Sequence, residues 1–308
     1  MSNAIVTTTI NPPTEAIMGF VETGWDMIIV GDMKTPHDKY KQLHFEYPHV
    51  TYLNPAKQDK LFHRLSDNIG WNCIQRRAIG IAYAYLKNYD VVSLVDDDNI
   101  PTVGWGKNLH IGEKMTVRTF NTKEKVFDPL YSLGYQNLWH RGFPIQLLDK
   151  RGEVTEGETE MTVQVQADLW DGAPDIDAIC RVGNPDGVKF FVDKPFTSNA
   201  LCPFNSQNTS ISHEALKYYY LLPHIGRMDD IWGSYILQQY VPNSVIYAPP
   251  SVFQKRNKHD IVKDIKDEMY GYEHTIELVN DLYYWTKYLP EKTQEFVKLY
   301  TEVISGTL

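Results

Sequence analysis

Cysteine is scarce in this sequence: its 308 residues include three, Cys73, Cys180 and Cys202, far from one another along the chain. Such an odd, scattered set forms neither a disulfide framework nor the paired spacing of a zinc site, so we expect a reducing compartment. The N-terminus lacks a basic segment followed by an apolar stretch, and no run approaches about 18 apolar residues. We therefore predict a soluble, cytoplasmic protein with neither a signal peptide nor a membrane-spanning helix.

Two common nucleotide-binding fingerprints are also missing. The sequence contains no Gly-x-Gly-x-x-Gly and no Gly-x-x-x-x-Gly-Lys-Ser/Thr, so a dehydrogenase or P-loop interpretation has no support. Internal repeats, low-complexity segments and an evident linker are absent, which predicts a single domain over 1–308. The formal charge of −9 argues against broad binding to phosphate backbones.

The composition is that of a globular protein, with 43% hydrophobic and 22% charged residues. In the first third of the chain, short apolar runs alternate with segments of helical spacing, which predicts a doubly wound α/β fold around a mostly parallel sheet. The predicted strands are 4–10, 26–30, 50–53 and 91–95, and the predicted helices are 15–22 and 76–86.

The rest of the chain is less regular. Residues 101–151 are aromatic and irregular, and the stretches 153–160 and 253–260 are predicted to be polar loops. The alternation over 161–170 is compatible with either a strand or a helix. The other predicted elements are strands over 190–192 and 245–248, and helices over 213–222, 226–240 and much of 260–304.

The strongest functional signal is the run Val91–Val95, followed directly by Asp96, Asp97 and Asp98. An apolar run of this length predicts a buried strand, and open α/β sheets bind ligands at the carboxyl ends of their strands. Three adjacent carboxylates repel one another, and a hard divalent cation such as Mg²⁺ or Mn²⁺ relieves that repulsion while binding substrate phosphates. The alternative is a solvated acidic turn.

Polar residues at the ends of the first two predicted strands suggest where a nucleotide would lie. Thr8 and Asp32 are candidates for contacts to its base or ribose, although Asp32 could also be an ordinary turn residue. A diphosphate could be neutralised by Lys34, Arg76 and Arg77, which could instead form a solvated helix face. The cluster 255–258, with Lys255 and Arg256, offers a second basic contact for the diphosphate or for a nucleic-acid phosphate.

Several segments resemble known families. The segments Val30–Pro36, Val95–Asn99, Arg141–Pro144 and Gln254–Asp260 resemble the STELLO-type glycosyltransferase-like proteins. The acidic triplet, Arg141–Pro144 and Gly226–Trp232 also resemble the plant reversibly glycosylated polypeptides, which act as UDP-arabinopyranose mutases. The resemblance is discontinuous, and it implies a GT-A fold, a nucleotide sugar and a divalent metal. Since the STELLO-like plant proteins carry a membrane anchor ahead of this domain, the chain is expected to be a stand-alone, soluble version.

The resemblance assigns metal and sugar contacts residue by residue. It makes Asp96 and Asp98 the metal ligands and Asp97 a candidate sugar contact. A further metal ligand is expected near the end of the core, for which His259 and Gln254 are the candidates. It also divides the chain into a nucleotide-binding half (1–100), an acceptor and catalytic half (101–260) and C-terminal helices (261–308).

The resemblance also implies catalytic roles. Asp230 corresponds to the acid that contacts the acceptor or serves as the base, with helix-end charge as the alternative. Asp229 would then cap the helix or pair with Arg227. Arg141 corresponds to the arginine that is reversibly glycosylated in the mutases, and in a transferase it would hold the diphosphate or the acceptor.

Three functions follow. The first is a metal-dependent transfer of sugar from a UDP-sugar to a hydroxyl acceptor. The acceptor could be a polysaccharide, a protein, a lipid or a hydroxymethylated base of viral DNA. A protein that modifies viral DNA would act in the host cytoplasm. The second is a mutase that interconverts ring forms of a UDP-sugar without an acceptor. The third is a non-catalytic scaffold of the same fold, which the intact acidic triplet disfavours.

Removing the triplet carboxylates tests the metal assignment. We predict that Asp98→Ala, and less severely Asp96→Ala, abolishes metal-dependent UDP-sugar binding. We also expect the fold to survive, because losing a repelling carboxylate stabilises the metal-free protein. Calorimetric titration of UDP-sugar in Mn²⁺ measures this, and an affinity unchanged in both variants would contradict it.

Overall fold

The computed structural model describes residues 2–184, 186–256 and 260–307. Its first half is the predicted alternation of strands and helices. Four parallel strands lie in the order β3-β2-β1-β4, and each buries aliphatic residues. Their bounds are β1 Asn3–Thr9, β2 Asp26–Gly31, β3 Val50–Leu53 and β4 Val91–Val95.

Helices cover both faces of these strands, because alternate side chains of a strand point to opposite faces. Ile5 and Ile29 pack with α1 (Glu15–Val21) and α2 (His37–Glu46) on one face. Val6 and Val30 pack with α3 (Pro55–Ile69) and α4 (Arg77–Leu86) on the other. This arrangement confirms the predicted doubly wound α/β class.

The sheet continues past β4 with mixed strand directions. Its order is β3-β2-β1-β4-β10-β8-β11-β9-β6-β7, with β5 paired to β11. Strand β10 runs antiparallel to both β4 and β8, so β8 and its parallel neighbour β11 again point in the direction of β4. The bounds are β5 Asn99–Pro101, β6 Lys114–Thr122, β7 Val154–Thr162, β8 Val165–Gly172, β9 Phe196–Ser198, β10 Asn208–Ser212 and β11 Val245–Gln254.

Helices also fill the predicted C-terminal region. Phe296 and Tyr300 of the last helix are buried in the core that includes α3 and α4, so the end of the chain packs back onto the first half of the sheet. No described helix is both long enough and apolar enough to span a bilayer. The remaining helices are α5 Pro129–Ser132, α6 Ala178–Gly183, α7 His213–Leu216, α8 Asp229–Tyr240, α9 Ile261–Asn280 and α10 Glu291–Ile304, with 3-10 turns at Ile74–Arg76, Ile145–Lys150, Gly226–Met228 and Leu282–Tyr288.

Several sequence predictions for the second half were wrong. The stretch 153–160 is not a loop, because it belongs to the edge strand β7, whose mostly exposed polar residues give no apolar alternation. The predicted strand over 190–192 does not form, and the helix predicted over 213–222 ends at Leu216. Strand β10 was missed because its buried face is polar: the Ser210 hydroxyl lies 2.6 Å from that of Ser93 on β4.

A close helix contact in the core yields a stability prediction. A Cβ on Gly233 of α8 would lie 2.1 Å from the carbonyl oxygen of Tyr220, so Gly233→Ala has to displace backbone. We expect a loss of about 1–3 kcal/mol in the free energy of unfolding. Gly183→Ala at the end of α6 meets nothing within 4 Å and is the matched control, expected to change stability by less than about 1 kcal/mol. Urea unfolding measures both, and equal effects would contradict the packing argument.

Candidate active site

Two adjoining cavities lie at the carboxyl ends of β1, β2 and β4. The first has a volume of about 390 Å³, and the second of about 650 Å³ shares Asp96, Gln207 and Arg227 with it. The structure thus brings together residues that are far apart in the sequence. The predicted site residues lining the first cavity are Thr8, Asp32, Asp96, Asp97, Asp98, Gln254 and Arg256, and those lining the second are Arg77, Asp96, Arg141, Asp229 and Asp230.

Asp96 is held by a buried arginine. Its carboxylate pairs with the guanidinium of Arg77 and accepts a hydrogen bond from the Gln207 amide at 2.7 Å. Arg77 also donates to the carbonyl and hydroxyl of Ser206. Burial lowers the pKa of Arg77, but the Asp96 carboxylate outweighs it, so the pKa lies above its ordinary value. The first acid of the triplet therefore has a fixed position at the boundary between the cavities.

Asp97 turns toward the end of β1. It accepts hydrogen bonds from the Thr9 hydroxyl at 2.5 Å and from the Asn11 amide at 2.9 Å. Its backbone carbonyl accepts from the hydroxyl of Thr14, the N-cap residue of α1. The triplet is thereby tied to the β1–α1 loop, and the role of Asp97 as a sugar contact stays a prediction.

Gln254 faces Asp98 with the amide nitrogen. Its Nε2 donates to Asp98 at 3.2 Å, while its Oε1 accepts from the Trp170 indole at 3.2 Å. The indole is a donor only, and its one N–H is shared between Gln254 and the carbonyl of Ala173, which lies closer at 2.7 Å. In this orientation Gln254 orients Asp98, and its role as a metal ligand stays a prediction. His259, the other proposed ligand, lies outside the described residues, as do 257 and 258.

The described part of the chain contains no group of three His, Cys, Asp or Glu side chains placed to hold a metal ion. Mg²⁺ and related cations are, however, commonly bound by one or two carboxylates, with phosphate oxygens and water completing the shell. Asp96 and Asp98 line the same cavity and supply hard oxygen donors of that kind. The donor set therefore fits a divalent cation whose shell is completed by a substrate.

The residues proposed as nucleotide contacts at the strand ends form hydrogen bonds within the protein. The Asp32 carboxylate lines the first cavity but accepts three backbone N–H bonds, from Met33, Asn72 and Cys73, at 2.6–3.0 Å. The Thr8 hydroxyl donates to the carbonyl of Val30 at 2.8 Å. Asp32 thus organises the turn around Asn72 that forms part of both cavity walls.

The structure does not bring all the predicted basic residues to the cleft. Arg76 lines neither cavity; it is fully buried, donates to Gln58 and Ser66, and lies over the Trp71 ring. Lys34 and Lys255 are exposed and also line neither cavity. These positions give no support to their predicted diphosphate contacts.

Two arginines do reach the first cavity. Arg256 was predicted, and its guanidinium is held by Asp264 at 3.0 Å. Arg227 was not predicted to bind substrate, and it bridges to Glu268 at 2.9 Å and to Asp264 at 3.6 Å. The only sequence signal for Arg227 was its position inside the segment Gly226–Trp232. Gln207 was missed as well, because it is an isolated polar residue without a recognisable spacing.

Arg141 is buried between two carboxylates at the base of the second cavity. Its guanidinium donates to Asp175 at 2.7 Å and lies 3.0 Å from an oxygen of Asp230, and it also contacts the carbonyl of Arg227. Burial lowers the pKa of Arg141, but both carboxylates overcome it and raise the pKa well above its usual value. The same pairing holds the pKa of Asp175 far below its usual range despite burial. The prediction that Arg141 is not a surface residue is confirmed, while a substrate contact stays a prediction.

Asp229 and Asp230 have different surroundings. Asp230 faces Arg141 and accepts the Ser206 N–H at 3.1 Å, whereas Asp229 accepts the Gln75 amide at 2.6 Å. Burial, and then the charge of Asp230, raise the pKa of Asp229 to about 7. The predicted pairing of Asp229 with Arg227 was wrong, because Arg227 is bound by Glu268 and Asp264. Capping was wrong too: Met228 occupies the N-cap of α8, without a side-chain cap bond.

No protein-family model matches the sequence, and no curated protein matches it. In structure, the chain is similar to glucosyl-3-phosphoglycerate synthase from Mycobacterium tuberculosis with phosphoglyceric acid (TM-score 0.48, 12% identity, covering 90% of this chain and 79% of that one). The same enzyme with Mn²⁺, uridine-diphosphate-glucose and phosphoglyceric acid gives a TM-score of 0.48, 9% identity, and coverage of 90% and 80%. A mannosyltransferase from Pyrobaculum calidifontis with GDP-Man and Mn²⁺ gives a TM-score of 0.44 and 9% identity, and the match covers 98% of this chain and 69% of that one. Similarity this distant does not indicate a function, which has to be inferred from the residues of the cleft.

The Arg77–Asp96 pair revises the expectation that the fold tolerates the loss of either metal-binding acid. Asp96→Ala leaves the Arg77 charge buried without its carboxylate, which should cost about 3 kcal/mol of unfolding free energy. Asp38→Ala removes an acid from an exposed pair with Lys41 and should leave stability nearly unchanged. Denaturant unfolding compares the variants, and an equally small effect in both would show that Arg77 does not depend on Asp96.

Proposed function

We propose that the chain is a metal-dependent glycosyltransferase with a GT-A-like fold, which transfers sugar from a UDP-sugar to a hydroxyl acceptor. One observation carries the proposal: the acidic triplet lines a cavity together with the ends of β1 and β2 and with Arg227 and Arg256. A cavity that presents both carboxylates and guanidinium groups suits a diphosphate bound with a divalent cation.

The residues of the first cavity have separable roles in donor binding. Asp96 and Asp98 would hold the cation, which, when bound, supplies Lewis-acid stabilisation of the charge on the departing diphosphate. Arg227 and Arg256 lie on the same cavity wall but are each paired with Asp264, so the cation would supply most of the positive charge that the diphosphate meets. Gln207 and Gln254 orient Asp96 and Asp98 by donating amide hydrogen bonds to them. Positioning of this kind, before the substrate arrives, lowers the reorganisation needed for catalysis.

The environment of Arg141 favours transfer over the mutase alternative. A mutase of the kind that the sequence resembles forms a sugar adduct on the arginine. To form the new bond to the anomeric carbon, a guanidinium nitrogen has to give up a proton and so free its lone pair, whereas Asp175 and Asp230 keep Arg141 protonated. Arg141 is instead suited to hold two carboxylates in place at the base of the second cavity.

A donor panel tests the proposed function. We expect the protein with Mn²⁺ to consume at least one UDP-sugar and to release UDP. The sugar should pass slowly to water and faster to an acceptor, and mass spectrometry measures both products. Asp98→Ala should abolish the consumption, and Asp38→Ala, at an exposed pair that lines neither cavity, should not. A new UDP-sugar isomer formed without UDP release would support the mutase instead. The absence of any UDP-sugar binding in Mn²⁺ would contradict both enzymes.

A further inference from the structure

The second cavity is distinguished by the pairing of its positive charges. Arg77 pairs with Asp96, Arg141 with Asp230, and Lys263 with Asp267 at 2.5 Å. Arg227 is bound by two carboxylates of α9, Asp264 and Glu268. Within residues 2–184, 186–256 and 260–307, each arginine and lysine lining this cavity therefore has a carboxylate partner.

The remaining polar groups of the wall are neutral or acidic. The Nε2–H of His224 donates to the Asn68 carbonyl at 3.0 Å, and burial lowers the pKa of His224, so the ring stays uncharged near neutral pH. Asp229 and Asp260 add carboxylates to the wall. Among the residues that the structure describes, a ligand bearing a phosphate or carboxylate would meet these acids and no arginine or lysine without a carboxylate partner. Hydroxyl groups, which both donate and accept hydrogen bonds, match this wall.

The two acids at the start of α8 differ in the partners that bind their carboxylates. The oxygens of Asp230 face the Arg141 guanidinium at 3.0 and 3.1 Å, and Ser206 donates to the same carboxylate. Both oxygens of Asp230 are therefore already bound within the protein, and the carboxylate serves to hold Arg141 in place. Asp229 has a neutral side-chain partner, the Gln75 amide at 2.6 Å, and lines the same cavity.

We infer that the second cavity binds an uncharged polyhydroxyl acceptor and that Asp229, rather than Asp230, is the general base that deprotonates the attacking hydroxyl. The inference rests on the proposed function and adds the acceptor class and the base to it. The acceptor oxygen forms a bond to the anomeric carbon as the bond from that carbon to the diphosphate breaks. The hydroxyl proton passes to Asp229, and UDP leaves with the bonding electron pair, so the anomeric configuration inverts.

The groups around Asp229 support this role. Burial and the charge of Asp230 raise its pKa to about 7, while Arg141, the Asp230 N–H and Gln75 act in the opposite direction. Burial and then the charges of Asp230 and Asp229 raise the pKa of Tyr219, so that its hydroxyl stays protonated. A base with a pKa near the working pH combines a useful deprotonated fraction with a strong proton affinity. Activity should therefore fall as the pH drops through about 7.

The test compares Asp229→Asn with the wild-type protein, using UDP-sugar, Mn²⁺ and two matched acceptor series. The neutral series is water, methyl glucoside and methyl galactoside, and the anionic series is methyl glucuronide and glucose 6-phosphate. We expect Asp229→Asn to keep the UDP affinity within about twofold and to lose about 10²- to 10⁴-fold in transfer rate. The wild-type protein should use the neutral series, and the acidic limb of its pH profile should be absent from the residual activity of the variant.

The control is Asp230→Asn, which removes the charge paired with Arg141 and should lower thermal stability, whereas Asp229→Asn should not. Transfer at the wild-type rate by Asp229→Asn, or a preference for the anionic series, would overturn the inference while leaving the transferase intact. UDP binding by the wild-type protein without consumption of any donor would also overturn it. A wild-type protein that binds no UDP in Mn²⁺ would remove the proposed function first, and this inference with it.

Discussion

The repulsion among three consecutive carboxylates is the constraint around which the cleft is built. Each acid is stabilised by a different part of the chain: Asp96 by Arg77 at the start of α4, Asp97 by the loop after β1, and Asp98 by Gln254 at the end of β11. The charge of the triplet therefore draws three separate elements to one point. A carboxylate cluster that would be costly in isolation becomes the junction of the N-terminal parallel strands with β11.

The same polar contacts connect the two cavities. Arg77 donates hydrogen bonds to the Asp96 carboxylate and to the Ser206 hydroxyl, and the N–H of Ser206 donates to Asp230. Asp230 in turn faces Arg141, which is also bound by Asp175. This series of buried contacts fixes the acidic triplet relative to the start of α8. For a transfer reaction, it would keep the donor and acceptor positions at a constant separation before either ligand binds.

How far the sequence predicted this structure depends on how local the signal was. Strand β4 and its acids were predictable, because an apolar run followed by charge is visible in nine residues. The strands β10 and β7 were not predictable. Polar residues of β10 form hydrogen bonds inside the core, and the polar residues of β7 lie at a solvent-exposed edge of the sheet. In the site, Arg76 was indistinguishable from its neighbour Arg77. Only tertiary packing sends one guanidinium to Gln58 and the other to Asp96.

The central claim is that the triplet holds a cation jointly with a nucleoside diphosphate. The described protein ligands are few, so Mn²⁺ alone should bind weakly and UDP should complete its coordination shell. The most direct test is titration of Mn²⁺ into the protein with and without saturating UDP, with free Mn²⁺ read by electron paramagnetic resonance. The account predicts that UDP tightens Mn²⁺ binding by at least about tenfold, a coupling of about 1.4 kcal/mol. Mn²⁺ binding that is the same with and without UDP would contradict it.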